Sequence, residues 1–254
     1  MVGFIDQLLL FIISLVTNVL SALAGGGAGL LQLPALLFLG LPFSVALATH
    51  KVASVFLGIG ATARYLKKST LNLKFVVLIL AFGLPGVVLG ANVILSIDDR
   101  IAQLSLGLLT LSLGIYSWFS PTLGQQVCLK NQHFYGWLIG GTVLFLIGAL
   151  NGSLTSGTGL FVTLWLVRWF GLDYKLAVAY TLVLVGMFWN GTGALTLGLQ
   201  GQIEWSWLPA LILGSLLGGY LGAHLAMTKG NTLVKRMFEI LTIVVGVSLI
   251  VTNW

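Results

Sequence analysis

Long apolar runs, separated by short stretches where Gly, Pro, Asn and charged residues collect, fill the chain from Phe4 to Asn253. They predict helices near 4–24, 28–40, 43–65, 73–95, 101–119, 135–150, 159–171, 175–199, 205–226 and 234–253. Runs of ~20 apolar residues cross a ~30 Å hydrocarbon core as helices, and the alternating ten-residue pattern of a membrane barrel is missing from these runs. Two segments are short: at 1.5 Å per residue, 28–40 and 159–171 reach only about 20 Å. Each follows a glycine-rich stretch, "AGGGAG" (24–29) in the first case and "NGSLTSGTG" (151–159) in the second. Glycine inside a helix costs about 1 kcal/mol relative to alanine, so both stretches predict helix breaks. We read 4–40 and 135–171 as helical hairpins that turn near the bilayer midplane, with full but tilted crossings as the alternative.

Composition sharpens this pattern into a class. A soluble domain carries about a quarter charged residues, whereas this chain has 7% charged and 58% hydrophobic residues and a mean hydropathy of +1.06. An all-α polytopic membrane protein is expected, with no soluble domain appended. The first run begins at Phe4 beside Asp6, without a basic leader or a small-residue cleavage site, and reads as a retained helix rather than a signal peptide. Cys128 is the single cysteine. It has no cysteine to pair with and no companions for a metal site, so no metal or cofactor is expected. The net charge of +6 is a topology signal in such a chain, and nucleic acid is not an expected partner.

The pattern repeats. Gly27-Ala28-Gly29-Leu30 matches Gly157-Thr158-Gly159-Leu160 at an offset of 130. At 131, residues 58–63 lie over 189–194, and Ala46 and Ala48 over Ala177 and Ala179; one residue further, Gly86, Gly90 and Ala91 fall on Gly218, Gly222 and Ala223. The units are a first repeat over 1–119, a cytoplasmic linker over 120–133 and a second repeat over 134–254. Short cytoplasmic loops collect Lys and Arg. Arg64, Lys67, Lys68 and Lys74 mark one loop as cytoplasmic, yet its counterpart holds only Glu204; the loop with Asp98, Asp99 and Arg100 is poor in basic residues, yet its counterpart holds Lys229, Lys235 and Arg236. Equivalent loops therefore face opposite sides, which makes an inverted repeat of two five-segment units, each beginning with a glycine-broken helical hairpin. This threading also places Lys130, Arg168 and Lys175 inside, leaves Arg100 outside and Lys51 within a segment, and puts both termini in the periplasm. Inverted repeats with interrupted helices mark many secondary transporters.

The breaks also carry the candidate chemistry. Two hairpins turning in the membrane from opposite faces bring "AGGGAG" and "NGSLTSGTG" together near its centre, where unpaired backbone is tolerated only beside a cavity. The short helices that follow start there, and their free amides and positive dipole ends favour an anion. Gly25, Gly26, Gly27 and Gly29, with Gly157 and Gly159, let those amides approach; Asn151, Ser153, Thr155, Ser156 and Thr158 add donors. Gly25 and Gly29 also fit a G-x-x-x-G packing pattern, and such faces suit helix contacts within or between subunits, a homodimer included. His50 and Lys51 lie about 11 Å into segment 43–65 by helical rise. A central Lys costs about 3 kcal/mol on insertion scales, so Lys51 either attracts the anion or snorkels to the surface. Thr181 and Asn190 are candidates from the matching helix of the second copy, and Gln32 follows the first break. Gly86/Gly90 and Gly214/Gly218/Gly222 keep helical spacing without a polar cluster and are assigned to close helix contacts. His224 is expected to be structural, and Glu239 to pair with Lys235 and Arg236 on one face. With no carboxylate expected at the midplane, a cation carrier is disfavoured.

The stretches "AGGGAGLLQLPAL" followed by "GLPFSVALATH", and "NGSLTSGTGL" followed by "GLDYKLAVAYT", resemble the sulfite exporter TauE/SafE family, also called the toluenesulfonate uptake permease family. The resemblance covers nearly the whole chain. It implies a bacterial inner-membrane secondary carrier of small sulfur-containing or carboxylated anions such as sulfite, sulfonates or sulfoacetate, with the glycine breaks as the binding positions. The second break departs from the glycine-rich pattern by using Ser and Thr, and Lys51 has Leu182 as its mate. An anion channel is the alternative. An intramembrane hydrolase using Ser153 or Ser156 with His224 or His133 is a third, but it lacks a G-x-S-x-G and a histidine placed within reach.

Overall fold

The computed structural model describes residues 4–26, 28–65, 71–93, 99–154, 157–200 and 203–253. Their regular structure is all helix, with no strand among the described residues: α1 (Phe4–Ala24), α2 (Ala28–Phe38), α3 (Phe43–Tyr65), α4 (Leu73–Val93), α5 (Asp99–Trp118), α6 (Phe134–Leu154), α7 (Thr158–Phe170), α8 (Tyr174–Tyr180), a π-helical stretch (Thr181–Trp189), α9 (Asn190–Gln200), α10 (Leu208–Lys229) and α11 (Asn231–Asn253). The α8, π and α9 pieces form one rod that corresponds to the single segment expected over 175–199. Among the described residues six helices are long and apolar enough to cross a membrane: α1, α3, α4, α6, the α8–α9 rod and α10. Helices α2 and α7, with 11 and 13 residues, are the short pair that the sequence singled out.

The surface is that of a protein solvated by hydrocarbon. On α1, Leu8, Leu9, Ile12 and Val16 are exposed while Ser14, Asn18 and Ser21 are buried. A water-soluble amphipathic helix would do the reverse; in a bilayer the polar groups must turn inward to find partners. Ser14 donates to the carbonyl of Leu211 (2.8 Å) and lies 3.1 Å from Ser215 Oγ, and Asn18 Nδ2 donates to that Ser215 hydroxyl at 3.1 Å. These bonds tie α1 to α10.

Small residues set how the helices pair. α1 lies along α10, α4 along α6, α5 along α11, and α3 packs on both α10 and the π stretch. A Cβ on Gly86 would fall 2.2 Å from the Phe145 carbonyl oxygen, and one on Gly90 1.8 Å from that of Ala149. On α10 the same contacts recur: a Cβ on Gly218 would lie 2.9 Å from Leu15 O, and one on Gly222 2.6 Å from Val19 O. Close backbone approach at small residues is how helices associate where lipid tails remove the hydrophobic drive.

Two features differ from the sequence expectation. Helix α6 runs to Leu154 rather than ending near 150, so the second break is narrower than 151–159. Gly152 belongs to the packing stripe, since its Cβ would fall 2.1 Å from Val87 O on α4, and Ser153 Oγ donates back to Ala149 O at 3.1 Å. The second difference is the π stretch, whose Gly186 sits against Gly58 of α3; a Cβ on Gly186 would come within 3.0 Å of Gly58 Cα.

Lys235 and Glu239 form the expected ion pair one turn apart on α11. Ser117 of α5 closes the cluster: its carbonyl accepts from Lys235 Nζ at 2.8 Å, its hydroxyl donates to Glu239 Oε1 at 3.0 Å, and Tyr174 OH lies 2.9 Å from that hydroxyl. His224 accepts from Arg64 Nε at 2.9 Å, which links α10 to α3.

Candidate functional site

The chain leaves the helical path where glycine allows it. After Ala24, Gly25 and Gly26 take φ of 94° and 95°, a region that costs a residue with a Cβ about 1–2 kcal/mol. Both amides turn back onto the Ser21 carbonyl, at 3.0 and 2.9 Å. On the other side Gly157, at φ 74°, starts α7 with no side chain capping it. The two breaks touch: a Cβ on Gly26 would lie 3.1 Å from Gly159 Cα, and Thr163 Oγ1 of α7 donates to the Gly25 carbonyl at 2.7 Å.

Between them lies a small cavity of about 30 Å³, room for about two waters. Gly26 and Gly29 border it from the first break, and Asn151, Thr158 and Gly159 from the second; His50, Thr181 and Asn190 complete the sequence-expected lining. The first turns of α2 and α7 thus both face it, so two positive helix ends converge on one space. No Asp or Glu is among the described lining residues, and His50 is the one ionisable side chain among them. Ser21, Ser54, Leu57, Leu182, Val185 and Gly186 also line it, and sequence reasoning missed all six. Ser21 is fully buried, and its hydroxyl meets no hydrogen-bond partner among the described residues. A buried hydroxyl left so costs about 1–3 kcal/mol, and Ser21 is the one such group that borders the cavity among the described residues. Repeat spacing held a clue, since Ser21 stands 130 before Asn151. Ser54 stands four residues after His50, one helical turn on the same face.

A second layer orients the lining. Ser14 donates to Leu211 O, Gln32 Nε2 donates to Ser14 Oγ at 3.0 Å, and Gln32 Oε1 faces His50 Nδ1 at 2.9 Å. His50 Nε2 lies 3.1 Å from Ser54 Oγ. Opposite, Thr163 Oγ1 stands 2.9 Å from Thr181 Oγ1; Gln32 and His50 precede Thr163 and Thr181 by 131, so the two bonded pairs share one sequence offset. Lys51 neither snorkels nor lines the cavity. It is fully buried, its ammonium donates to the Asn151 carbonyl at 2.8 Å and stands 3.4 Å from Asn151 Oδ1. That carbonyl belongs to the last turn of α6, where a cation complements the negative helix end. Held this way, the Asn151 amide donates to Thr158 Oγ1 at 2.8 Å.

The remaining sequence candidates are placed as follows. Gly25 and Gln32 sit one layer behind the lining. Ser153 bonds carbonyls of its own helix, and Gly157 is the turn before α7. Gly27, Thr155 and Ser156 lie outside the described residues. The hydroxyl–imidazole pairs weighed in the sequence are not formed by Ser153, whose partners are the Ala149 and Leu150 carbonyls, or by His224, which holds Arg64.

The family model for "Sulfite exporter TauE/SafE" matches residues 10–249. A "Probable membrane transporter protein" of Haemophilus influenzae is 35% identical over 234 residues, covering 92% of this chain and 90% of its own length. YfcA of Escherichia coli K12, with the same description, is 27% identical over 95% of this chain and 88% of its own. YunE of Bacillus subtilis, also so described, is 24% identical over 95% and 96%. No solved structure matches the chain. With six apolar spans among its described residues and this match over almost its full length, the chain is a multi-pass membrane protein belonging to the sulfite exporter TauE/SafE family of membrane transporters.

Proposed function

We propose that the protein is a secondary transporter of small anions, sulfur-containing ones such as sulfite, a sulfonate or a sulfoacetate-like molecule. The anion binds between the two breaks and is exposed to each side in turn. One observation carries this reading: a cavity bordered by both helix starts, with a buried unpartnered Ser21 hydroxyl and no carboxylate among its described lining residues. Amides and hydroxyls with a nearby ammonium suit an oxyanion, and a cavity of about 30 Å³ leaves room for no more than a small one.

The helix pairing supports alternating access by an inverted repeat. If 1–119 and 134–254 are related by a two-fold-like axis, α1 must pack on α10 as α6 packs on α4. The contact residues keep register: Phe145 and Ala149 stand 130 after Leu15 and Val19, and Gly218 and Gly222 stand 132 after Gly86 and Gly90. Each half then grips the other half's hairpin, and rocking at these glycine seams would open the cavity to one face and then the other. The placement of basic residues favours the bacterial inner membrane with both termini periplasmic.

Counterflow in proteoliposomes tests the function. Uptake of labelled sulfite should accelerate when unlabelled sulfite is trapped inside, and competing sulfate, sulfoacetate, taurine and acetate should rank the substrate class. Uptake indifferent to internal sulfite would mean a channel, and no uptake of any of these anions would end the reading. The Ser54–His50 contact gives a hydrolase one specific feature, but the group behind the ring is the neutral Gln32 amide rather than the carboxylate that stabilises an imidazolium in serine hydrolases. Labelling of Ser54 by a fluorophosphonate is expected to be absent.

A further inference from the structure

The chain of hydrogen bonds behind the cavity runs in one direction. The Ser14 hydroxyl has one proton, and it is given to the Leu211 carbonyl at 2.8 Å. Ser14 Oγ therefore accepts from Gln32 Nε2, which leaves Gln32 Oε1 toward His50. A carbonyl oxygen there requires a proton on His50 Nδ1. His50 Nε2 is then the basic nitrogen, and it accepts the Ser54 hydroxyl. His50 and Ser54 both line the cavity. A backbone carbonyl on α10 thus fixes the tautomer of a buried imidazole on α3 and turns its lone pair to the cavity side.

We propose that His50 carries the coupling proton, one taken up at Nε2 with each anion bound, and that Ser54 transmits the linkage. This rests on the reading of the cavity as an anion site. In the empty state the Ser54 proton is committed to Nε2. When the cavity opens and a proton from the bulk water on that side bonds to the Nε2 lone pair, Nε2–H becomes the donor and Ser54 Oγ the acceptor. The Ser54 hydroxyl proton is released from the ring and turns to the anion; on the far side the anion leaves, Nε2 returns its proton to water, and Ser54 donates to the ring again. The imidazolium also supplies a charge opposite to the anion's, so each stabilises the other in the cavity.

The neighbouring elements leave this role to His50. On α3, Lys51 follows it but directs its ammonium at Asn151, and Arg64 holds His224. Among elements packed on α3, α2, the π stretch and α9 have no titratable side chain. Asp6 of α1, Tyr174, Lys175 and Tyr180 of α8, and Tyr220, His224 and Lys229 of α10 do not line the cavity.

The test uses sulfoacetate, which is fully ionised between about pH 6 and pH 8 and cannot carry the proton itself. Titration calorimetry of the purified protein in two buffers of different ionisation enthalpy should show uptake of about one proton per sulfoacetate bound; in proteoliposomes with a trapped pH dye, entry of labelled sulfoacetate should acidify the lumen at a comparable ratio. In His50→Gln the ratio should fall to zero, whatever the remaining rate. Ser54→Ala should keep proton uptake but weaken sulfoacetate binding about tenfold or more, the loss of a hydrogen bond to a charged group. Wild-type binding without proton uptake, or an unchanged ratio in His50→Gln, overturns the coupling role while leaving anion transport standing. If sulfoacetate neither binds nor exchanges and sulfite, sulfate and taurine also fail, the anion reading falls and the coupling role with it. Absence of proton uptake in the wild-type calorimetry overturns the coupling role even if both variants fail to fold.

Discussion

Replacing Ser21 with alanine should move stability and anion affinity in opposite directions. The hydroxyl is fully buried against the cavity with no partner among the described residues, so in the empty protein it carries a desolvation cost of about 1–3 kcal/mol. Removing one oxygen leaves a void on the order of 10 Å³, which costs only about 0.2 kcal/mol at ~24 cal/mol per Å³. Ser21→Ala should therefore stabilise the empty protein by about 1 kcal/mol or more, a rise in melting temperature of about 2–4 °C for a chain of this size. The same change deletes a hydrogen bond to a charged ligand, about 1.5–3 kcal/mol, so sulfite should bind roughly ten- to hundredfold more weakly. Thermal unfolding in detergent without ligand and across a sulfite titration measures both. A lower melting temperature with unchanged sulfite affinity would refute the reasoning, because it would mean that the hydroxyl serves the fold and not a ligand.

Other expectations test the frame around the site. Gly90→Ala puts a methyl 1.8 Å from the Ala149 carbonyl and should abolish monodisperse protein in size-exclusion chromatography; Gly191→Ala, whose Cβ meets only Val55 Cγ2 at 3.7 Å, should instead gain up to about 1 kcal/mol from helix propensity. Lys51→Met removes the charged hydrogen bond from the Lys51 ammonium to the Asn151 carbonyl and should lower stability by about 1.5–3 kcal/mol in thermal unfolding. Lys51→Arg should not restore it, because Gly193 has its Cβ position already 2.9 Å from Lys51 Cδ and Nζ, leaving no room for a guanidinium. Glu239→Gln strands the buried Lys235 ammonium and should destabilise by about 3–5 kcal/mol, whereas the double change Lys235→Met/Glu239→Met should be close to neutral, as read from denaturation of all three variants.

Much of this architecture could be read from the chain, and the parts that could not share a physical cause. Glycines at helical spacing without a polar cluster, Gly86/Gly90 and Gly214/Gly218/Gly222, were legible as contacts because spacing alone decides that a row lies on one face. Gly25 and Gly26 were legible as a break because adjacent glycines cannot share a face and weaken the helix together. Gly152 misled: it sits in the polar run after Asn151, yet α4 approaches it, and that approach is a tertiary fact. The π stretch left no mark in TLVLVGMFW, which is apolar at nearly every position and so has no period to disturb. Ser21 and Ser54 were missed because serine in an apolar helix ordinarily bonds its own preceding turn; only the cavity distinguishes them. Lys51 was legible as a costly burial, but its direction was not, since a long side chain can reach several neighbours.

The most direct measurement is a crystal structure grown with selenite, the heavier analogue of sulfite, with selenium located by its anomalous scattering. A peak between Gly26 and Gly159, within hydrogen-bond reach of Ser21 Oγ and the first turn of α7, is the expected result. Selenium found only at the surface, for example beside Lys130 and Arg168, with the space between the two breaks unoccupied, would contradict the claim that the two breaks form an anion site.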